Sequence, residues 1–96
     1  MTKTDKKRDK QLRELLTQVC ESHCKSIAGF SWLTHRIDWK SPHKTFTLTV
    51  VFEHPDDLAT FIQSNDRAAL ERLVKNKIKA LGVDIKEPRQ FIYQSQ

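Results

Sequence analysis

The chain contains little of several residue types that mark particular protein classes. Its 96 residues include two cysteines, two glycines and three prolines. Two cysteines do not make a secreted disulfide scaffold, and so few glycines and prolines exclude a collagen-like or low-complexity chain. No apolar run approaches the roughly 20 residues that span a bilayer, and the charged start from Met1 to Lys10 lacks the apolar segment of a secretion signal. We therefore expect a cytoplasmic protein without membrane contact.

Motifs that carry chemistry are equally scarce. The sequence has no Ser/His/Asp or Cys/His arrangement of a nucleophilic enzyme and no glycine loop that would cradle a phosphate. Cys20, His23 and Cys24 share one helical patch, but a closed zinc site needs a fourth ligand, and cysteine also suits a buried stripe. Asp56 and Asp57 stand where a helix begins, so capping accounts for both carboxylates. We expect no catalytic residue, no metal and no cofactor, and hence no enzyme.

Positive charge, by contrast, is in excess. Lys and Arg number 17 against 12 Asp and Glu, which gives a formal net charge of +5. With 38% hydrophobic and 30% charged residues, the composition is typical of a folded domain. We expect a single domain over residues 1–96, with residues 1–6 disordered, that exists as a monomer or weak dimer. A basic protein attracts nucleic acid or an acidic protein surface.

The clearest periodic signal is the run from Thr45 to Phe52. Its residues alternate with the two-residue period of a strand that buries one face. The strongly apolar positions are Phe46, Leu48, Val50 and Phe52, and the intervening ones are Thr45, Thr47, Thr49 and Val51. We expect this strand to be the centre of the sheet.

The remaining elements follow from apolar spacing and from turn residues. The pattern predicts a helix over 7–27, a strand over 30–39, a turn over 40–43, a short helix beginning near 55, a helix over 66–81 and a strand over 89–93. The pattern does not decide which face of the predicted strand over 30–39 is buried, because a bulge near Thr34 would exchange its buried and exposed faces. The order α-β-β-α-α-β predicts a two-layer α+β fold, with a three-stranded mixed sheet and helices on one face.

This element order resembles the type II KH module of RNA-binding proteins along nearly the whole chain. In that module a GXXG loop between consecutive helices contacts the backbone of about four nucleotides. The corresponding stretch here is Ser64-Asn65-Asp66-Arg67, which has no glycine. The resemblance implies an RNA-binding fold, with Arg67 as the residue of this loop that would contact phosphate.

A second resemblance lies in the residues themselves, mostly in the first half of the chain. The matching stretches are Asp5-Lys6-Lys7, Leu12-Arg13-Glu14, Leu16-Thr17, Val19-Cys20-Glu21, Gly29-Phe30, Trp32-Leu33-Thr34-His35 and Val51-Phe52. They are similar to a group of small uncharacterised gammaproteobacterial proteins that are sometimes labelled Fis-family transcriptional regulators. Fis itself ends in a helix-turn-helix, which the second half of this chain lacks. The resemblance implies the grouping and no active site.

Basic residues from both halves of the chain are the candidates for phosphate contact. Arg72, Lys75 and Lys79 fall on one strip of the predicted helix over 66–81, opposite its apolar side. An amphipathic helix needs charge on its outer side in any case, so a solvated face explains the same strip. The full candidate set is Lys6, Lys7, Lys10, Arg13, Arg67, Arg72, Lys75, Lys79 and Arg89.

Three aromatic residues on predicted strands are candidates for stacking on unpaired bases. They are Trp32, Trp39 and Tyr93, and each can instead belong to the core. The combined pattern predicts a small nucleic-acid-binding module, with RNA favoured over DNA. The alternative is an adaptor that binds another protein through an uncovered sheet face or strand edge.

Overall fold

The computed structural model describes residues 3–96, and its elements follow the predicted order with one short helix and two 3₁₀ turns added. They are helix α1 (Lys3–Ser22), a 3₁₀ turn (Cys24–Ser26), strand β1 (Phe30–Arg36), helix α2 (Pro42–Thr45), strand β2 (Thr47–Phe52), helix α3 (Pro55–Gln63), helix α4 (Asn65–Lys79), a second 3₁₀ turn (Pro88–Gln90) and strand β3 (Phe91–Ser95). None of the helices within residues 3–96 is both long and apolar enough to cross a membrane.

The sheet has three strands in the order β1-β2-β3 and is mixed. Strand β1 pairs antiparallel with β2, and β3 pairs parallel with β2. The parallel pairing requires a long crossover, which α3 and α4 supply. The predicted α+β fold with a central strand near 45–52 is therefore confirmed.

Helices cover one face of this sheet. Leu48, Val50 and Phe52 point to that face and are fully buried. Phe61 of α3 contacts Phe52 and Tyr93, with ring centroids 5.0 Å and 5.4 Å apart. Burial of these rings and aliphatic chains is the main source of stability, because each buried large apolar side chain contributes about 1.5–3 kcal/mol. The same core contains Leu12, Leu16 and Val19 of α1 and Leu70, Val74 and Ile78 of α4.

The other face is uncovered, and we call it the open sheet face. Its residues are Trp32, Thr34 and Arg36 of β1, Thr47, Thr49 and Val51 of β2, and Ile92 and Gln94 of β3. Trp32 and Ile92 are 49% and 41% exposed. Val51 is only 3% exposed because it lies in the central strand, directly paired with Trp32. The register irregularity of β1 falls between Phe30 and Trp32, rather than near Thr34.

Helix α1 begins and ends earlier than its predicted range of 7–27. Residues 3–6, expected to be disordered, form its first turn, whereas Met1 and Thr2 lie outside the described residues. At the other end Ser22 Oγ donates to Gln18 O at 2.7 Å and Ser26 Oγ donates to His23 O at 2.7 Å. The Ser22 bond spans four residues, as does the bond of Thr17 within α1, whereas the Ser26 bond spans three residues and belongs to the 3₁₀ turn. The chain tightens into this turn and still buries Cys24.

The connection between β1 and β2 is longer than the predicted turn over 40–43. Asp38 holds it, since its backbone N–H donates to Thr45 Oγ1 at 2.8 Å and its Oδ1 accepts from Lys40 N at 2.9 Å. Thr45 Oγ1 also donates to Ser41 O at 2.7 Å, which closes the single turn of α2. Strand β2 consequently starts at Thr47, two residues later than predicted.

Two glycines with positive φ end helical segments. Gly29 has φ 77° and Gly82 has φ 79°, a left-handed conformation that side chains disfavour. The Gly29 carbonyl accepts from Glu53 N at 2.9 Å, so this turn also closes the end of the sheet. Both positions match the predicted helix ends.

Candidate functional site

The start of α1 meets the end of α4 through one arginine. Arg8 Nη2 donates to Leu81 O at 2.8 Å, and the guanidinium carbon lies 4.5 Å from the ring centroid of Trp39. A cation at this distance is attracted to the aromatic face. Three segments far apart in sequence are thereby joined, and Arg8 is used for structure rather than left free for a ligand.

Charge is divided unequally between the two ends of the elongated molecule. The contacts of Arg8 with Leu81 and Trp39, and of residues 43–46 with Asp84 and Gln90, join three segments, which we call the basic end. These segments, 3–13, 36–47 and 75–91, contain fourteen of the 17 Lys and Arg but five of the 12 Asp and Glu. That leaves a formal charge of +9. The rest of the chain, the acidic end, has three Lys and Arg against seven Asp and Glu, a formal charge of −4. Such a separation creates a potential that orients an anionic partner.

A cleft of about 780 Å³ opens at the basic end between the α2 region and the segment before β3. We call it the basic cleft. Its four cationic side chains face one carboxylate, that of Glu87, which forms an ion pair with Arg89. Its lining residues are Lys40, Ser41, Pro42, His43, Lys44, Lys86, Glu87, Arg89 and Gln90.

Gln90 ties the two walls of the basic cleft together. This side chain is 5% exposed. Its Oε1 accepts from Lys86 N at 3.2 Å and from Glu87 N at 3.1 Å. Its Nε2 donates to His43 O at 3.0 Å and to Phe46 O at 2.9 Å. Every hydrogen bond has a matched donor and acceptor, so the amide orientation is determined by its partners.

His43 makes a second tie across the same cleft. Its Nδ1 accepts from Asp84 N at 2.9 Å. In the neutral imidazole an accepting Nδ1 places the proton on Nε2, which then donates. The imidazole is exposed, so this donor is accessible to a ligand.

Most of the predicted phosphate-contacting residues lie at the basic end. Arg13 there is bound to Asp9 at 3.3 Å in an exposed helical pair. Arg67 does not join the group, because it lies in the first turn of α4, and Arg72, at the middle of α4, lies three residues before the group begins at Lys75. The predicted residues that the fold brings to the basic end are Lys6, Lys7, Lys10, Arg13, Lys75, Lys79 and Arg89.

Lys40, Lys44 and His43 are missing from the predicted set although they line the basic cleft. In sequence they belong to a turn, and a turn residue shows no periodicity that would place it beside residues 86–90. The available signal is two lysines four positions apart on either side of Pro42, in a chain that is already basic.

Two of the three aromatic candidates for base stacking are not open to a ligand. Trp39 is 9% exposed and lies under Arg8. Tyr93 points toward the helices, where its hydroxyl donates to Glu71 Oε2 at 2.6 Å. Burial, followed by that hydrogen bond and the nearby carboxylate, raises the pKa of Tyr93, so the phenol stays protonated. Only Trp32, on the open sheet face, retains an exposed ring.

The two cysteines of the predicted patch Cys20, His23 and Cys24 belong to the core, Cys24 as a member and Cys20 packed against it. Cys24 is fully buried, and burial, with a smaller effect of Cys20, raises its thiol pKa to about 12. A thiol that stays protonated is a poor nucleophile and a poor metal ligand. Within residues 3–96, no group of three or more His, Cys, Asp and Glu side chains is arranged to hold a metal ion.

Comparison with known proteins adds no relative: no family model, no curated protein and no solved structure matches the chain. The resemblances to the KH module and to the Fis-labelled group stay predictions. The candidate site is therefore defined by the residues of this chain alone.

Proposed function

We propose that the protein is a small non-enzymatic module that binds single-stranded nucleic acid, RNA in preference to DNA, through its basic end. The separation of +9 from −4 between the two ends supports the proposal most directly. Lysines and arginines that neutralise phosphates release counterions, and this supplies most of the affinity of sequence-independent binding.

The acidic residues of the basic end weaken this field only in part. Asp9 pairs with Arg13, and Glu87 pairs with Arg89, so two cations are partly neutralised. Lys6, Lys10 and Lys79 remain exposed on α1 and α4. Lys6 and Lys10 are each two residues from Arg8 on α1, and Lys79 is two residues from Leu81, so all three lie close in sequence to the contact that joins the two helices.

The open sheet face favours an unpaired strand over a duplex. Trp32 has an exposed ring, and Arg36 lies on the same face four residues later. At about 3.3 Å per residue, roughly 13 Å separate the two positions along β1, in the direction of the basic end. An unpaired base can stack on Trp32 while the backbone of its strand continues toward Arg36. A base in a duplex is already stacked between its neighbours and does not present a free face to Trp32.

Two double variants with equal change in charge test the proposal. Lys6→Glu with Lys79→Glu alters the basic end, and Lys25→Glu with Arg72→Glu alters the acidic end. All four side chains are exposed. In fluorescence anisotropy with a labelled single-stranded RNA, we expect the first pair to weaken binding at least about tenfold and the second less than about twofold.

Thermal unfolding of both double variants checks that the fold is intact. Equal losses of affinity from both pairs would show that binding does not depend on the basic end. A wild-type protein that fails to bind single-stranded RNA or DNA at low salt would refute the proposal itself.

The second candidate function is an adaptor that binds another protein through the open sheet face. The exposed Trp32 and Ile92, on either side of Val51, favour it because they form an apolar patch on an uncovered sheet. Pulldown from lysate with and without nuclease separates the two functions. Partners that are retained after nuclease treatment and lost in Trp32→Ala with Ile92→Thr would favour the adaptor.

A further inference from the structure

The basic cleft differs from the exposed lysines of α1 and α4 because it is concave and has two tied walls. Its volume of about 780 Å³ falls in the range of roughly 300–1,000 Å³ that is usual for small-ligand sites. We propose that the basic cleft binds a terminal phosphate, a phosphomonoester at the end of the nucleic acid. This inference rests on the proposed function and specifies which phosphate group of the nucleic acid the cleft binds.

The basic cleft has an excess of positive charge. Four cations and one carboxylate line it, and that carboxylate is already paired with one of the cations. An internal phosphodiester carries a single negative charge, whereas a phosphomonoester carries about −1.5 to −2 near pH 7. The same cations attract both groups, and the attraction grows with the charge of the ligand. A concave site with a net charge of about +3 therefore favours the terminal phosphomonoester over an internal phosphodiester.

The two walls of the basic cleft are also preorganised. Gln90 binds both walls at once, and His43 Nδ1 binds Asp84 N across the same opening. The walls are thus held together by hydrogen bonds before any ligand arrives, which reduces the entropic cost of binding. His43 Nε2 is a further donor, and the three oxygens of a terminal phosphate can accept hydrogen bonds from it and from the lysines.

The cleft also lies where a bound strand can continue. Lys86 and Arg89 precede β3, Lys40 precedes α2 and Lys44 lies in α2, so the cleft opens at the end of the sheet where β2 and β3 begin. Arg36 pairs with Thr47 at this same end of the open sheet face. A strand whose end occupies the cleft can therefore pass along β1 toward Trp32.

The test compares three RNA oligonucleotides of one sequence, with a 5′-phosphate, a 3′-phosphate or hydroxyl groups at both ends. Competition against a labelled RNA measures their relative affinities. We expect the wild-type protein to prefer one of the phosphorylated forms about tenfold over the hydroxyl form. The preferred form identifies which end is bound.

A matched pair of variants locates the preference. Lys44→Ala with Lys86→Ala removes two cations from the cleft, and Lys6→Ala with Lys79→Ala removes two from the basic end outside it. We expect the first double variant to bind all three RNAs alike. The second should bind all three more weakly and keep the preference.

The possible failures are distinguishable. Equal binding of the three RNAs by the wild-type protein would overturn the terminal-phosphate site and leave the proposed RNA binding intact. A preference that survives Lys44→Ala with Lys86→Ala would also overturn it, because the phosphate would then bind elsewhere. Failure of all three RNAs to bind would remove the proposed function together with this inference.

Discussion

Gln90 is the residue whose replacement tests the structure most sharply. Its amide makes four hydrogen bonds to backbone groups, two on the segment before β3 and two on the segment after His43. The bond from Asp84 N to His43 Nδ1 is a further tie between these walls. Truncation to Ala therefore removes the principal polar connection across the basic cleft.

The size of the effect follows from the burial of the four partners. Each hydrogen bond contributes about 1 kcal/mol net, and a buried partner left without a bond costs about 1–3 kcal/mol. The bond to Phe46 O is buried, whereas water can reach the other three partners in part. We expect Gln90→Ala to lower the free energy of unfolding by about 2–3 kcal/mol, which for a domain of this size lowers Tm by roughly 10–20 °C.

Urea unfolding followed by circular dichroism measures this loss, with Gln94→Ala as the matched control. Gln94 is four residues later, in β3, and its side chain is exposed on the open sheet face. Its truncation should therefore change stability by less than about 0.5 kcal/mol. A loss below about 1 kcal/mol in Gln90→Ala would refute the reasoning, because the four bonds would then contribute no more than solvated ones.

Two further predictions concern the helix ends and the packing of α1 on the sheet. Gly29→Ala should destabilise the protein by at least about 1 kcal/mol more than Gly82→Ala, because a Cβ at position 29 would clash with the Asp57 side chain. A Cβ at position 82 would instead lie 3.7 Å from an Arg8 nitrogen, an ordinary van der Waals contact. Similar Tm values for the two variants would contradict this. Burial lowers the pKa of His35 below 6.5, against an opposing effect of Asp9, so the folded state binds fewer protons and stability should fall as the pH drops below about 6.5. Urea midpoints between pH 5 and 8 should show a weaker decline in His35→Gln, and an unchanged decline would assign it to other groups.

Local pattern was enough for most of the fold. The alternation around Leu48 and Val50 predicts the central strand, and the apolar spacing on α1 and α4 predicts their buried sides, because burial of one face imposes a period on the sequence. The errors lie where side chains bind backbone. Ser26 binds within the 3₁₀ turn that follows the shortened α1, and Thr45 closes the turn of α2 in the β1–β2 connection. Gln90 binds Glu87 N where a 3₁₀ turn replaces the first predicted residues of β3.

For the candidate site, the sequence predicts the residue types and only part of the membership. It correctly indicates an excess of positive charge, but the strip on α4 includes Arg72, which the fold leaves at the acidic end. Lys40 and Lys44 enter the site instead, because Gln90 and His43 bind segments more than 40 residues apart. Tertiary contacts of this kind leave no periodic trace.

The sequence by itself determined the α+β class, the central strand and the positive charge, since these depend on composition and on the short period of each element. Only the tertiary structure decided that the cations gather at one end, that Trp39 lies under Arg8 while Trp32 stays exposed, and that a cleft forms between α2 and the segment before β3. The physical reason is that charge and burial act over distances of several ångströms in space, and chain folding alone decides which residues come within them.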